Sequence, residues 1–234
     1  MPYSAPLDGL RAIAILAVLV FHVAPTALPG GFTGVDVFFV LSGFLIASII
    51  RHDVVDGSFT LREFYTRRLQ RLLPNVVLTV TAVVLLWWML LPSSAARQAA
   101  AHGLWALVSL SNVFVWRDLG SYWGNAAESA PLTHTWSLGV EEQFYLLFPA
   151  LFALALRRSR RPALWVGAVA AASAIWCAGW GSRDPAATFY LLPSRVWELL
   201  AGVLLSLTLP GVRARLTSPT ARAITGVAGL ALIT

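Results

Sequence analysis

Apolar residues run along this chain in long blocks rather than in alternation, and short stretches crowded with arginine separate the blocks. A helix that crosses a bilayer needs roughly 20 mostly apolar residues. Blocks of that order fall at about 8–25, 34–50, 75–91, 137–156, 163–180, 194–209 and 222–234. The pattern predicts an all-α fold, a polytopic transmembrane helix bundle with about seven spans, built as one domain over residues 1–234. Asp8 and Arg11 stand at the start of the first block and no small-residue cleavage pattern follows it. It is therefore read as a span and not as a signal peptide. The last block stops at Thr234 with no cap or flanking charge, so the domain is expected to be incomplete at its C-terminus.

Composition supports this reading. Of 234 residues, 58% are hydrophobic and 12% are charged, against about 25% charged in soluble domains. An ordinary soluble enzyme, a disordered chain and a coiled coil are excluded. The single cysteine, Cys177, lies inside an apolar block and leaves no disulfide framework or thiolate metal site. The formal charge is +6, and the basic residues are all arginine. Their position between apolar blocks points to membrane topology rather than nucleic acid. Arg51, Arg62, Arg67, Arg68 and Arg71 follow the second block. Arg157, Arg158, Arg160 and Arg161 follow the fourth, and Arg213, Arg215 and Arg222 the sixth. All three clusters should face the cytoplasm. The apolar stretch 101–117 would reverse that assignment if it crossed. The segment 92–135 is therefore expected to be an external excursion whose apolar piece is re-entrant or lies against the bundle.

Ionisable residues within spans are costly, and each is a functional candidate. Arg11 and His22 are eleven positions apart, which puts them about 20° apart around a helix and about 16 Å apart along it. Asp8 precedes Arg11 by one turn. A snorkelling Arg11 and a solvated His22 are the plain alternatives, but the common face implies one polar seam. Asp36 lies near the start of the second block, where it could orient the His22 imidazole or simply serve a helix N-terminus. Arg68 and Arg71, with Arg67 beside them, have the spacing of a phosphate grip, or else are plain positive-inside charge. Glu141 and Glu142 are adjacent within a span and cannot both face lipid. One of them must reach an arginine or a histidine inside the bundle. Arg195 and Glu198 are one turn apart and can satisfy each other. His52 and His102 carry no clear signal, and metal-site, P-loop and serine-hydrolase motifs are absent.

The pieces LDGLRAIAILAVLVFH, GVDVFFVLSGFLI, FYTRRLQRLLP, HTWSLGVEEQFYLLFP and RVWELLAGVLL occur in this order across residues 7–204. Together they resemble the bacterial membrane acyltransferase-3 family. The resemblance implies a bundle of about ten helices in the bacterial inner membrane. It also implies transfer of an acyl group, commonly acetyl, from acyl-CoA to a hydroxyl of a cell-surface or lipid-linked carbohydrate. Acyl-CoA is then a donor substrate; no permanently bound cofactor and no metal are expected, and membrane lipids are the remaining partners. The family's Arg-x10-His motif falls on Arg11 and His22, and its RxxR motif on Arg68 and Arg71. On this reading Arg67, Arg68 and Arg71 hold the CoA phosphates, and Arg11 lines the path of the pantetheine arm. His22 removes the proton of the acceptor hydroxyl or relays an acyl group, oriented by Asp36 or Glu142, with Glu141 as a further catalytic candidate. Whether an SGNH-type esterase domain follows is left open. A transporter or glycan-binding membrane protein without acyl transfer is the alternative, because such proteins also keep Arg, Glu and His in their spans.

Overall fold

A computed structural model describes residues 5–120, 124, 130–215 and 218. Six helices among these residues are long and apolar enough to cross a membrane. The expected seventh span, 222–234, lies outside the described residues. In chain order the helices are α1 (Ala5–Val23), α2 (Gly34–Val55), α3 (Leu61–Leu90), α4 (Ser93–Leu107), α5 (Ser111–Phe114), α6 (Thr135–Arg158), α7 (Pro162–Trp180), α8 (Pro185–Tyr190) and α9 (Leu192–Arg215). Among the described residues between 92 and 134 no helix reaches spanning length, and α4 has 15 residues. It packs against α3.

Local chemistry sets several boundaries. Thr60 caps α3 by accepting from the Glu63 N–H, and Pro162 and Pro185 open α7 and α8, where a missing N–H costs nothing. Asp184 caps α8 by accepting from the Ala187 N–H at 2.8 Å. One boundary differs from expectation. The third span was predicted to begin after Pro74, but α3 starts at Leu61 and runs through that proline. Proline removes one backbone bond and crowds the preceding turn, yet a helix packed in a bundle can carry that loss. Arg62, Arg67, Arg68 and Arg71 are therefore on the spanning helix itself and turn with its faces.

Pairwise contacts fix the directions. Asp36 meets Arg195 and Arg51 meets the Ser206 carbonyl, so α2 and α9 run parallel. Arg68 meets Glu142 and Tyr65 meets Leu146, so α3 and α6 run antiparallel. The start of α1, the end of α2, the start of α3 and the end of α6 thus lie at one end of the bundle. That end carries Arg51, Arg62, Arg67, Arg157 and Arg158. The starts of α2 and α6 lie at the other.

The core gathers Phe39, Ile50, Trp136, Val140, Tyr190, Leu199 and Val203 from α2, α6, α8 and α9. Large apolar side chains on the outside are exposed, among them Leu78 (70%), Trp165 (68%) and Ile175 (73%). Water would penalise such a surface; lipid does not. The tightest crossing is between α2 and α9. A Cβ added to Gly43 would overlap the Leu199 carbonyl oxygen, and one added to Gly202 would overlap the Val40 carbonyl oxygen. Each helix therefore presents bare backbone to the other.

We expect Gly43→Ala and Gly202→Ala to force these helices apart and to lower stability by about 1–3 kcal/mol each. Unfolding in mixed micelles checks this. Wild-type midpoints in both variants would mean that the crossing is looser than described.

Candidate functional site

Adjacent positions on a helix are about 100° apart, and this separates the two carboxylates of α6. Glu142 turns to α3, where Arg68 Nε donates to its Oε1 at 2.9 Å and Oε2 at 3.2 Å. The Arg68 Nη2 also donates to Oε1, completing a two-pronged pair. The Arg68 guanidinium lies 3.6 Å above the Tyr145 ring. Glu141 turns instead to α2, where Ser42 Oγ donates to it at 2.6 Å.

Two cavities flank Glu141. One, of about 570 Å³, is lined by Arg11, Ser42, Arg67, Arg68, Arg71 and Tyr145 as well as Glu141. The other, of about 510 Å³, is lined by Val18, His22, Phe38, His134, Ser137 and again Glu141. The first lies toward the arginine-bearing end of the bundle and the second toward the opposite end. They meet at one carboxyl side chain. Arg11 and His22 fall in different cavities.

His22 is exposed, and its Nδ1 lies 2.7 Å from the Val18 carbonyl oxygen on its own helix. A carbonyl only accepts, so Nδ1 carries a proton and the neutral ring has its lone pair on Nε2. The ring meets His134 edge to face, with centroids 4.6 Å apart. His134 stands at the entry to α6, seven residues before Glu141, a separation of about 10.5 Å along a helix.

Two expected partnerships are replaced. Asp36 does not orient His22. Its carboxylate accepts from Arg195 Nη1 at 3.1 Å, and the same nitrogen donates to Glu198 at 2.7 Å. Arg195 thus serves more than its helical neighbour, because the α2–α9 crossing brings a second acid within reach. Arg195 also donates from Nε to the Phe189 carbonyl at 2.8 Å. Nor does Glu142 orient His22, since it is bound to Arg68. Arg68 is thus already engaged by a carboxylate. Arg11 pairs with Asp8 at 2.9 Å, and Arg67 with Glu63 at 3.0 Å and Asp53 at 3.5 Å. Arg71 has no carboxylate partner among the described residues, yet lines the same cavity.

Sequence reasoning passed over three residues of this region. Ser42 gave no signal alone. Tyr145 was visible only as a neighbour of Glu141. His134 could have been found from its place at the start of α6, level with the end of α1 where His22 sits.

Comparison with known proteins now bears on this arrangement. The family model Acyl_transf_3, described as an acyltransferase domain, matches residues 5–234. The chain belongs to the acyltransferase-3 family. It is 32% identical over 235 residues to the peptidoglycan O-acetyltransferase OatA of Listeria monocytogenes, covering 97% of this chain and 38% of that protein. It is 37% identical over 200 residues to BcsY of Komagataeibacter xylinus, provisionally named a membrane-bound transacylase, covering 85% of this chain and 50% of that protein. The chain therefore spans half or less of the length of these relatives. No solved structure matches it significantly.

The Arg68–Glu142 pair should behave as a unit. Arg68→Ala and Glu142→Ala are each expected to cost about 2–3 kcal/mol, because the remaining charge is left half-buried. The double variant should cost clearly less than their sum. Unfolding of the four proteins in micelles measures this, and strict additivity would show the two groups to be uncoupled.

Proposed function

We propose that the protein is a membrane-bound O-acyltransferase that moves an acyl group, acetyl in the simplest case, from acyl-CoA to a hydroxyl of a cell-surface or lipid-linked carbohydrate. The observation that carries the reading is the pair of cavities joined at Glu141, one basic and one bearing histidine. Family membership supports it, and the name of OatA points to a surface glycan as the class of acceptor. On this reading the protein sits in the bacterial inner membrane with its arginine-rich end in the cytoplasm.

Arg71, which lines the basic cavity and has no carboxylate partner among the described residues, is the principal candidate for the CoA phosphates, with Arg11 and Arg67 supplying further positive charge. Arg68 acts as a positioning residue through Glu142. The pantetheine arm then extends from the basic cavity past Ser42 and Glu141. The separation of about 16 Å expected between Arg11 and His22 is of the order of such an arm. In the second cavity His22 Nε2 accepts the proton of the acceptor hydroxyl as its oxygen attacks the thioester carbonyl. Collapse of the tetrahedral intermediate forms the ester and breaks the carbon–sulfur bond. The imidazolium returns its proton to the departing thiolate. The charge on the ring is stabilised by the Val18 carbonyl at Nδ1.

Transport is the second reading, since two cavities meeting at a central acid also suit alternating access. The full-length protein in nanodiscs, supplied with labelled acetyl-CoA and glycan acceptors, separates the two. Acyl transfer supports the enzyme, and movement of solute without release of CoA supports the transporter. His22→Ala should lower turnover by about 100-fold or more, while Arg71→Ala should chiefly raise KM for acyl-CoA. Turnover within a few fold of wild type in His22→Ala would remove His22 from the reaction.

Sidedness has its own test. In a Cys177→Ser background, a cysteine replacing Arg160 should resist an impermeant maleimide in intact cells, and one replacing Gly124 should react. The reverse pattern would invert the bundle.

A further inference from the structure

His102 gave no functional signal in the sequence, but its surroundings are specific. It lies on α4 and is 1% exposed. Its Nε2 is 2.7 Å from Ser111 Oγ, which is 2.5 Å from Thr135 Oγ1, which is 2.6 Å from the Leu132 carbonyl oxygen. The directions of these bonds are forced. The carbonyl can only accept, so Thr135 donates to it. Ser111 must then donate to Thr135, and the Ser111 oxygen receives the Nε2 proton of His102. The imidazole is left with its lone pair on Nδ1. That atom is buried and has no hydrogen-bond partner among the described residues. Burial pushes the pKa of His102 down to about 4, so the ring stays neutral near pH 7 and Nδ1 is an acceptor only. A native interior rarely leaves such a group unserved without reason.

Beside the ring is a cavity of about 210 Å³, walled by Trp87, Gln98, His102, Phe114 and Pro131. Phe114 stacks on the imidazole, with centroids 4.5 Å apart and planes 25° apart. No charged side chain lines the cavity among the described residues. At about 30 Å³ per water molecule its volume equals about seven waters, the scale of one sugar ring rather than a chain. It belongs to the same end of the bundle as His22, because Thr135 directly follows His134, whose ring meets His22.

A ligand suited to this space carries no charge, offers an apolar face to Trp87 and exchanges hydrogen bonds with the Gln98 amide, and Nδ1 is the acceptor that the His102 ring has left to offer it. We propose that the cavity binds one neutral pyranose unit of the acceptor glycan, adjacent to the unit that is acylated, with a hydroxyl donating to His102 Nδ1. The proposal rests on the acyltransferase reading only for the word acceptor; the site itself binds a hydroxyl-bearing ring. Trp87, Gln98 and His102 are then binding residues and take no part in proton transfer.

The test uses the full-length protein in nanodiscs, free of glycoside detergents, and saturation-transfer NMR with the methyl glycosides of glucose, galactose and N-acetylglucosamine. At least one should receive saturation from the protein. His102→Phe keeps the aromatic stack but removes Nδ1, and Gln98→Leu changes the wall without touching the Ser111 chain. Each should weaken binding by about threefold to tenfold, the loss of one neutral hydrogen bond, and should raise KM for the glycan acceptor by a similar factor. Absence of saturation for all three probes, or equal binding by wild type and the folded Gln98→Leu variant, would mean that the cavity holds water only and would overturn the proposal. If binding behaves as expected while no acyl transfer occurs with any acceptor, the subsite stands and the acyltransferase reading falls. If transfer occurs and both variants keep the wild-type KM for the acceptor, the subsite falls alone.

Discussion

Two carboxylates at successive positions of one spanning helix impose the condition that the rest of the bundle meets. Neither Glu141 nor Glu142 can face lipid, and helical geometry sends them in directions about 100° apart. One helix with a suitable donor must therefore stand on each side of α6. On one side α3 brings Arg68, whose fork matches a carboxylate and whose flat face covers Tyr145. On the other side α2 brings Ser42, a neutral donor, so Glu141 is hydrogen-bonded without being paired to a cation there. The difference has chemical weight. Glu142 is held by a full counter-charge and is structural in its geometry, whereas Glu141 remains available to both cavities.

The position of α2 follows from its contact with α9. Gly43 and Gly202 remove the side chains that would hold the two backbones apart. This close approach places Asp36 beside Arg195 and sets Ser42 on the flank facing α6. In lipid, apolar side chains gain little by leaving the solvent, and close backbone packing and interhelical hydrogen bonds take over the work of association. The glycines and the buried acids are thus parts of one solution. A larger residue at the crossing would disturb the polar pairs that make the interior tolerable.

The spans and the candidate chemistry were legible because both are local properties. Length of apolar run, arginine between runs and charge within a run can each be read one segment at a time. The helix boundaries came out close to the observed ones, except where Pro74 was read as a start and α3 carried it through. Pairing was not legible, because partners such as Asp36 and Arg195, or Arg68 and Glu142, lie 159 and 74 residues apart. A short loop does bring Asp36 toward the level of His22. Level is not contact, however, and the α2–α9 crossing decides which way the carboxylate faces. His102 was unreadable for the same reason: its partners sit on α5 and at the entry to α6, and nothing in its own segment announces them.

On the acyltransferase reading, the exchange of Asp36 for a backbone carbonyl at His22 changes what the ring can do as a base. A carboxylate at Nδ1 would stabilise the imidazolium strongly and tie the reactivity of the ring to a second titrating group. The Val18 carbonyl also fixes the proton on Nδ1 and directs the lone pair to Nε2, but it carries no charge and does not titrate. It belongs to the preceding turn of the same helix, so the ring and its anchor move together. No distant helix has to arrive for the tautomer to be set. The exposed histidine at the end of α1 has its Nδ1 on its own backbone, while Asp36 and Glu142 are each held by an arginine from another helix. On the acyltransferase reading, the reactivity of His22 depends on what the cavity brings to Nε2.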